Sequence, residues 1–466
     1  MMNNVDFDQF EWNAALIERY NLAGPRYTSY PTAPQFHAGF DALAYRQALI
    51  DSNASQAPLS LYFHIPFCAK VCFYCGCNKI ATGDTSRCGP YLERLYQEMD
   101  QIAAVIDTSR PVHQLHWGGG TPTFLSHQQM RELMEHTRAR FQLRDDDQGD
   151  YSIEIDPREI QPDTLPLLRE LGFNRMSFGL QDLNLQVQQA VNRVQPREMT
   201  EGALQQAREL GFRSLNLDLI YGLPHQTPDS FAQTVEEVIE MSPDRLSVFN
   251  YAHLPERFKP QRRIRAEDLP SPEHKLLILE QTIRRLVEAG YVYIGMDHFA
   301  KPTDSLAIAQ REGRLHRNFQ GYTTHSDCDL IAMGASSISQ VGPTYAQNHH
   351  DTEGYETQIG QGQLATLRGL VLTQDDILRR AVINQLICHF ALDSQAWSAA
   401  WGVSFNDYFA PELEALKTHA KDGLLEILPE GLRVTPAGRL LIRSLCMVFD
   451  AYLDQPNLGR AFSRII

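Results

Sequence analysis

No apolar run in this 466-residue chain approaches the roughly 18–20 residues of a membrane span. Residues 1–8 are too polar for a signal peptide, so the expectation is a soluble, cytoplasmic protein without membrane insertion. Positive charge is short as well: 42 Lys and Arg stand against 57 Asp and Glu, a formal net charge of −15. Nucleic acid is gripped by clustered cations and is therefore not an expected partner. If a ligand is itself anionic, the bases that meet it must be gathered locally. Repeats at solenoid periods are missing. Cysteine is scarce, eight residues in all, and without a secretory signal they do not read as a disulfide framework. What the chain does have is 43% hydrophobic residues, enough for two domains or for one large domain with an appendage.

Half of those cysteines fall in one stretch, Tyr62-Phe63-His64-Ile65-Pro66-Phe67-Cys68-Ala69-Lys70-Val71-Cys72-Phe73-Tyr74-Cys75-Gly76-Cys77-Asn78-Lys79. Three thiolates at C-x3-C-x2-C can hold three irons of a cubane from one loop and leave the fourth iron open to a ligand. Ferredoxin runs space their cysteines differently. A structural zinc loop with Cys77 as fourth ligand is the alternative, although zinc sites usually pair C-x2-C units from two knuckles. Cys88, Cys328, Cys388 and Cys446 read as buried thiols.

From residue 59 to about 299 short strand-like runs alternate with amphipathic helices. Strands are expected at 59–65, 113–117, 151–155, 175–180, 214–220 and 245–250, with a further one at 291–296. Helices are expected at 90–106, 128–141, 163–171, 200–210, 230–240 and 272–289. Ser126 and Gln129 spell a capping box, and Gly172, Gly211 and Gly290 stand where helices would end. Six β/α units imply parallel strands backed by helices, in a partial, opened barrel or a flat doubly wound sheet.

The polar residues collect at one end of these strands. They are the cysteine loop, Gly118-Gly119-Gly120-Thr121-Pro122, Glu154 and Asp156, Gln181 and Asp182, Asp218, and Ala252-His253. In an α/β barrel those ends converge on one mouth. The glycines serve either a tight turn or the close approach of a ligand to the backbone. Glu154 and Asp218, on strands, need either a ligand or a structural cation. On its own Arg193 reads more often as a surface helix-end cation, and Asp297-His298 as a hydrogen-bonded core pair.

Three segments flank this core. Residues 1–40 carry little regular pattern, and the prolines of Gly24 to Pro34 favour an extended path. Residues 340–363 are polar and read as a connector. Beyond them helices at 375–390 and 411–420, a hairpin over 423–435 and a helix at 436–449 resemble a winged helix, whose balanced charge points to a lid or packing domain. The division expected is 1–40 as a segment covering the active site, 41–360 as catalytic barrel and connector, and 361–466 as a mostly helical domain.

The cysteine triplet resembles the signature of the radical S-adenosylmethionine (SAM) superfamily. Together with Gly24-Pro25-Arg26-Tyr27-Thr28-Ser29-Tyr30-Pro31-Thr32, His116 to Thr123, Glu154 to Glu159, Asn216 to Pro224 and His316-Arg317-Asn318-Phe319-Gln320-Gly321-Tyr322, the chain from about Tyr20 onward resembles the bacterial oxygen-independent coproporphyrinogen III oxidases (dehydrogenases). The related haem-chaperone-like proteins, which bind SAM without this turnover, are the alternative. They typically lack both the Cys77-type cysteine and the 25–32 segment. The resemblance implies one [4Fe-4S] cluster on Cys68, Cys72 and Cys75 and two SAM molecules. It implies a 5′-deoxyadenosyl radical that takes a hydrogen from the β-carbon of the ring A and ring B propionates, giving vinyl groups and protoporphyrinogen IX in haem biosynthesis. It places Tyr62, Gly119 and Glu154 at the cluster-bound SAM. It places Tyr74, Gly120, Thr121, Gln181, Arg193, Asp218, Ala252 and Ile338 at the second, and Pro25, Arg26, Tyr27 and Tyr30 over the substrate. The partners implied are coproporphyrinogen III and a one-electron donor whose identity the sequence does not carry, with the chain acting as a monomer.

Overall fold

The computed structural model describes residues 10–453 together with Phe462, Arg464 and Ile465. Residues 1–8, whose polarity argued against a signal peptide, lie outside that set. No helix among the described residues is long and apolar enough to cross a membrane.

Six parallel strands form where the sequence places them: β1 Leu59–Ile65, β2 Pro111–Gly119, β3 Asp150–Ile155, β4 Arg175–Gln181, β5 Ser214–Tyr221 and β6 Arg245–Asn250. Helices Cys88–Ala103, His127–Arg140, Thr164–Glu170, Arg197–Glu209 and Pro228–Met241 fall between or after them. β1 is buried at six of its seven positions, as expected of a parallel strand covered on both faces. Ser126 and Gln129 make the expected capping box, and Gly172, Gly211 and Gly290 take φ of +102°, +78° and +88° at helix ends.

The sheet continues past β1. β7 (Asp329–Met333) lies parallel to β1, and β8 (Ile338–Val341), β9 (Thr344–Asn348) and β10 (Thr366–Val371) follow antiparallel. From β6 to β10 the strand order is β6-β5-β4-β3-β2-β1-β7-β8-β9-β10, an incomplete (β/α)6 barrel with an antiparallel extension. The polar connector expected at 340–363 is therefore largely sheet and the helix Thr352–Gly360. All five residues of β9 are buried. Their polarity is tolerated because it is paired: Asn348 Nδ2 donates to Glu98 Oε1 at 2.6 Å and Arg368 Nε to Gln347 Oε1 at 2.8 Å. Residues 291–296 do form a strand, Val292–Gly295, but it turns back as an antiparallel hairpin with His298–Ala300.

Two compact units result. One comprises Phe36–Ile278 and Asp327–Val371, and the other Met1–Gln35, Leu279–Ser326 and Leu372–Ile466. In the second, residues 14–20, expected to lack regular structure, form a helix capped by Asn13. Helices Gln374–His389 and Ala410–Lys421 and the hairpin Leu425–Leu428/Gly431–Val434 match expectation. The single helix expected at 436–449 is instead two short ones, Pro436–Arg439 and Ile442–Met447. Gly438 pins the first turn to the hairpin, since a Cβ there would lie 1.9 Å from the Leu424 carbonyl oxygen. Cys88, Cys388 and Cys446 are buried thiols as read, whereas Cys328 is only partly buried.

Candidate active site

Pairing register sets the site before any side chain is considered. Tyr62 of β1 lies beside His116 of β2, His116 beside Ser152 of β3, Glu154 of β3 beside Ser177 of β4, and Asp218 of β5 beside Gly179 and Ser247. One row of polar groups thus crosses the sheet at its carboxyl-terminal end. The chain leaving β1 forms the cysteine loop, and Phe67–Cys68 pairs with Ile80–Ala81 to close it.

The glycine run holds this loop down. Gly120 N–H donates to Ile65 O at 2.8 Å and Thr121 N–H to Phe67 O at 2.7 Å. A Cβ on Gly120 would stand 2.6 Å from Phe67 O, and one on Gly119, at φ +112°, 2.5 Å from the His64 ring. The missing side chains therefore make room for the cysteine loop and His64, not only for a ligand. His64 Nε2 donates to Asn78 O at 3.0 Å, which leaves Nδ1 to accept from the Tyr62 hydroxyl at 3.1 Å.

Each thiol of the triplet has a hydrogen-bond donor. Thr121 Oγ1 lies 3.4 Å from Cys68 Sγ, Arg158 Nη2 3.4 Å and Arg193 Nη1 3.6 Å from Cys72 Sγ, and Cys77 N 3.5 Å from Cys75 Sγ. Burial pushes the Cys68 thiol up to about 11, against the Thr121 hydroxyl. Cys75 is held well below the ordinary thiol range because Cys77 donates to it and Lys79 stands nearby. Asp156 binds both guanidiniums, Arg158 Nη2 at 2.6 Å and Arg193 Nη1 at 2.9 Å. Burial works against its charge, but those cations hold its carboxyl below the usual range.

Glu154 is also kept ionised. Burial opposes the charge, and His116 Nε2 at 3.4 Å and Gly119 N–H at 2.9 Å more than offset it. Asp218 goes the other way. Burial raises it to about 6, although Asn216 Nδ2 at 2.8 Å and Ser177 Oγ at 3.2 Å donate to it.

These groups surround a cavity of about 170 Å³. Two buried polar atoms of its lining, Gln181 Oε1 and Arg193 Nε, have no hydrogen-bond partner. Three soft thiol donors on one loop, N–H and O–H groups aimed at their sulfurs, and these unmatched polar atoms fit a cluster with a polar ligand beside it.

The family model of the radical SAM superfamily matches residues 62–238, and that of the HemN C-terminal domain residues 372–441. The oxygen-independent coproporphyrinogen III oxidase of Pseudomonas aeruginosa is 57% identical over 459 residues, 98% of this chain and 100% of the relative. The Escherichia coli K12 protein of the same name is 53% identical over 462 residues, 99% of this chain and 100% of the relative. The solved structure of the Escherichia coli coproporphyrinogen III oxidase HemN, described as a radical SAM enzyme, matches 96% of this chain and 100% of its own with TM-score 0.91 at 52% identity. The chain belongs to the oxygen-independent coproporphyrinogen III oxidase family.

In this member of the oxidase family, the cofactors are a [4Fe-4S] cluster and SAM. The cavity brings together Cys68, Cys72, Cys75, Tyr74, Gly119, Gly120, Thr121, Glu154, Gln181, Arg193 and Asp218. Tyr62, Ala252 and Ile338 are not among its lining residues; Tyr62 reaches the site through His64. In the other unit, Tyr27 and Tyr30 are buried, with the Tyr27 hydroxyl donating to Asp450 at 3.0 Å and the Tyr30 hydroxyl accepting from Ala451 N–H at 3.0 Å. Arg26 is partly exposed and paired with Asp297. Sequence reasoning gave no role to His64, His116 or Arg158, which fix Tyr62, Glu154 and Cys72. The available signal was spacing: each stands two residues from an assigned or motif residue, on the same strand face or within the same turn.

Proposed function

We propose that this chain carries out the oxygen-independent oxidative decarboxylation of the ring A and ring B propionates of coproporphyrinogen III, giving protoporphyrinogen IX in haem biosynthesis, as a cytoplasmic monomer supplied by a one-electron donor. The supporting observation is one cavity that joins the three-cysteine loop to Glu154, Gln181, Arg193 and Asp218, in a chain related to the named oxidases from end to end. A cluster on Cys68, Cys72 and Cys75 with SAM beside it supplies, when bound, the 5′-deoxyadenosyl radical that removes a hydrogen atom from a propionate β-carbon before carbon dioxide and an electron leave.

The protein's part is placement and charge. Glu154, ionised at neutral pH, faces a cationic ligand end, with Tyr62 and the Gly119 backbone completing the first SAM position. Arg193 suits a carboxylate and Asp218 a pair of ribose hydroxyls at a second SAM position. That position also involves Tyr74, Gly120, Thr121, Gln181, Ala252 and Ile338. Arg158, Arg193, Thr121 and Cys77 N–H donate toward the sulfurs, which favours added negative charge there. Pro25, Arg26, Tyr27 and Tyr30 belong to the substrate side, and Arg26 is the partly exposed one of the four.

The test is an anaerobic assay of the reconstituted chain with reductant, SAM and coproporphyrinogen III. Protoporphyrinogen IX formed with two 5′-deoxyadenosines per molecule is the expected outcome. Tightly retained haem with no turnover would replace this reading by that of a haem-handling relative. Cys68→Ala, Cys72→Ala and Cys75→Ala are each expected to abolish iron binding, whereas Cys77→Ala keeps it. A colourless Cys77→Ala protein would make Cys77 a ligand.

A further inference from the structure

Cys72 differs from the other two thiols of the triplet in what faces its sulfur. Cys68 meets a neutral hydroxyl, that of Thr121, and Cys75 meets the Cys77 N–H with the Lys79 ammonium nearby. Cys72 Sγ meets two guanidiniums, Arg158 Nη2 at 3.4 Å and Arg193 Nη1 at 3.6 Å. An arginine does not lose its proton in a protein, so both charges are permanent. Asp156, paired with each, offsets one of them. The balance of these three side chains beside Cys72 is therefore positive.

The two guanidiniums are not equivalent. Arg193 lines the cavity and keeps an unpartnered buried Nε, so it has capacity to spare for a ligand. Arg158 is not among the lining residues, and its side chain is only 5% exposed. Protein groups occupy it on every side. Nε donates to Asp156 Oδ1 at 3.0 Å, Nη2 to Asp156 Oδ2 at 2.6 Å as well as to Cys72, and Nη1 to Asn192 O at 3.4 Å. Local sequence sets this arrangement. Asp156 caps the turn Pro157–Glu159 at the end of β3 and accepts from the Arg158 N–H at 3.1 Å, so acid and guanidinium arrive from the same turn. Pro157 fixes φ between them.

We infer that Arg158 sets the reduction potential of the cluster held by the cysteine loop, acting through Cys72 Sγ, and takes no part in binding SAM. This rests on the reading above in which Cys68, Cys72 and Cys75 are the ligands. Adding one electron to a group on those sulfurs adds one negative charge, and a permanent cation in contact with one of them favours the addition. Burial strengthens the effect, because little water or salt screens it. The electron comes from the one-electron donor; no bond breaks, and Arg158 keeps its proton throughout. Without Arg158, Asp156 and Arg193 remain as a neutral pair, one positive charge fewer beside Cys72. Arg158 is thus a positioning residue for charge, and Arg193 the one of the two that serves a ligand.

The test is an anaerobic redox titration of the reconstituted full-length chain without SAM, following the electron paramagnetic resonance signal of the reduced cluster. Arg158→Met is expected to disfavour reduction about tenfold, a fall in midpoint potential of about 59 mV for a one-electron couple. Arg158→Lys, which keeps the charge but not the fork, should lie between that variant and the parent. Iron content and the Kd for SAM, titrated on the unreduced protein, should match the parent in both, whereas Arg193→Met should bind SAM more weakly. A parent-like midpoint in iron-loaded Arg158→Met would overturn the assignment. So would a loss of SAM affinity equal to that of Arg193→Met, which would make Arg158 a prop for Arg193. Iron lost from Arg158→Met and Arg158→Lys alike would make Arg158 a holder of the loop and overturn it too; if only Arg158→Met fails to load, Arg158→Gln takes its place under the same criteria. A parent that gives no cluster signal would instead remove the ligand assignment on which the role rests.

Discussion

Asp218 and Glu154 are carboxylates on strands separated by β4 with opposite protonation habits, and the cause is local. Glu154 faces His116 and a main-chain N–H. Asp218 has only neutral donors and a nearby Glu154, so burial prevails and lifts it to about 6. Because its folded value lies above the unfolded one, the folded chain holds a proton that the unfolded chain releases between about pH 4 and 6. Stability therefore falls as pH rises through that window, and above it the full cost of the buried charge is present. Asp218→Asn is expected to unfold at a higher temperature than the parent at pH 8, by about 1–3 kcal/mol of stability, and to match it near pH 4. It should also bind SAM more weakly. Superimposable melting curves for the two proteins at pH 8 would mean that Asp218 is not held ionised in a buried setting.

At the scale of elements, the site depends on how the turn after β2 grips the loop after β1. Gly120→Ala would set a Cβ 2.6 Å from Phe67 O, a main-chain atom that cannot swing aside. The loop must shift, at a cost of about 1–3 kcal/mol. The expected result is a folded protein that reconstitutes with far less iron, read from its visible absorbance; full iron loading would show that the turn does not position the thiols. Much of this was legible in the sequence, since the parallel strands announce themselves as apolar runs between capped helices and the cysteine triplet is its own signal. The purpose of Gly120 was only half legible. Three glycines signal a close approach, but only the register of β1 against β2 reveals that the approaching partner is the cysteine loop itself. The antiparallel extension was hidden for a different reason: β9 buries Thr344, Gln347 and Asn348, so its composition looks like a connector until their hydrogen bonds are traced.

The whole molecule divides in a way that sequence order conceals. Met1–Gln35 and Leu279–Ser326 cluster with Leu372–Ile466, through contacts such as Tyr27 with Asp450, the Arg443 guanidinium with the Gly24 and Pro25 carbonyls, and Tyr322 with Ile387 O at 3.1 Å. A linear reading sees a terminal appendage that could serve as a removable lid. Tertiary packing makes residues 372–466 the larger part of a core whose other pieces come from the start and middle of the chain. Deleting them would leave Tyr27 without Asp450, Tyr322 without Ile387, and the hairpin Val292–Gly295/His298–Ala300 without Phe390, whose ring lies parallel to that of Tyr293 at 6.4 Å. Truncation after Val371 is therefore expected to yield an aggregating protein with a lowered thermal midpoint, even though the cysteine loop belongs wholly to the other unit. The check is size-exclusion chromatography and melting of the truncated chain beside the parent. A monodisperse truncated protein with the parent's turnover would show that the second unit contributes neither folding nor a closing surface to catalysis.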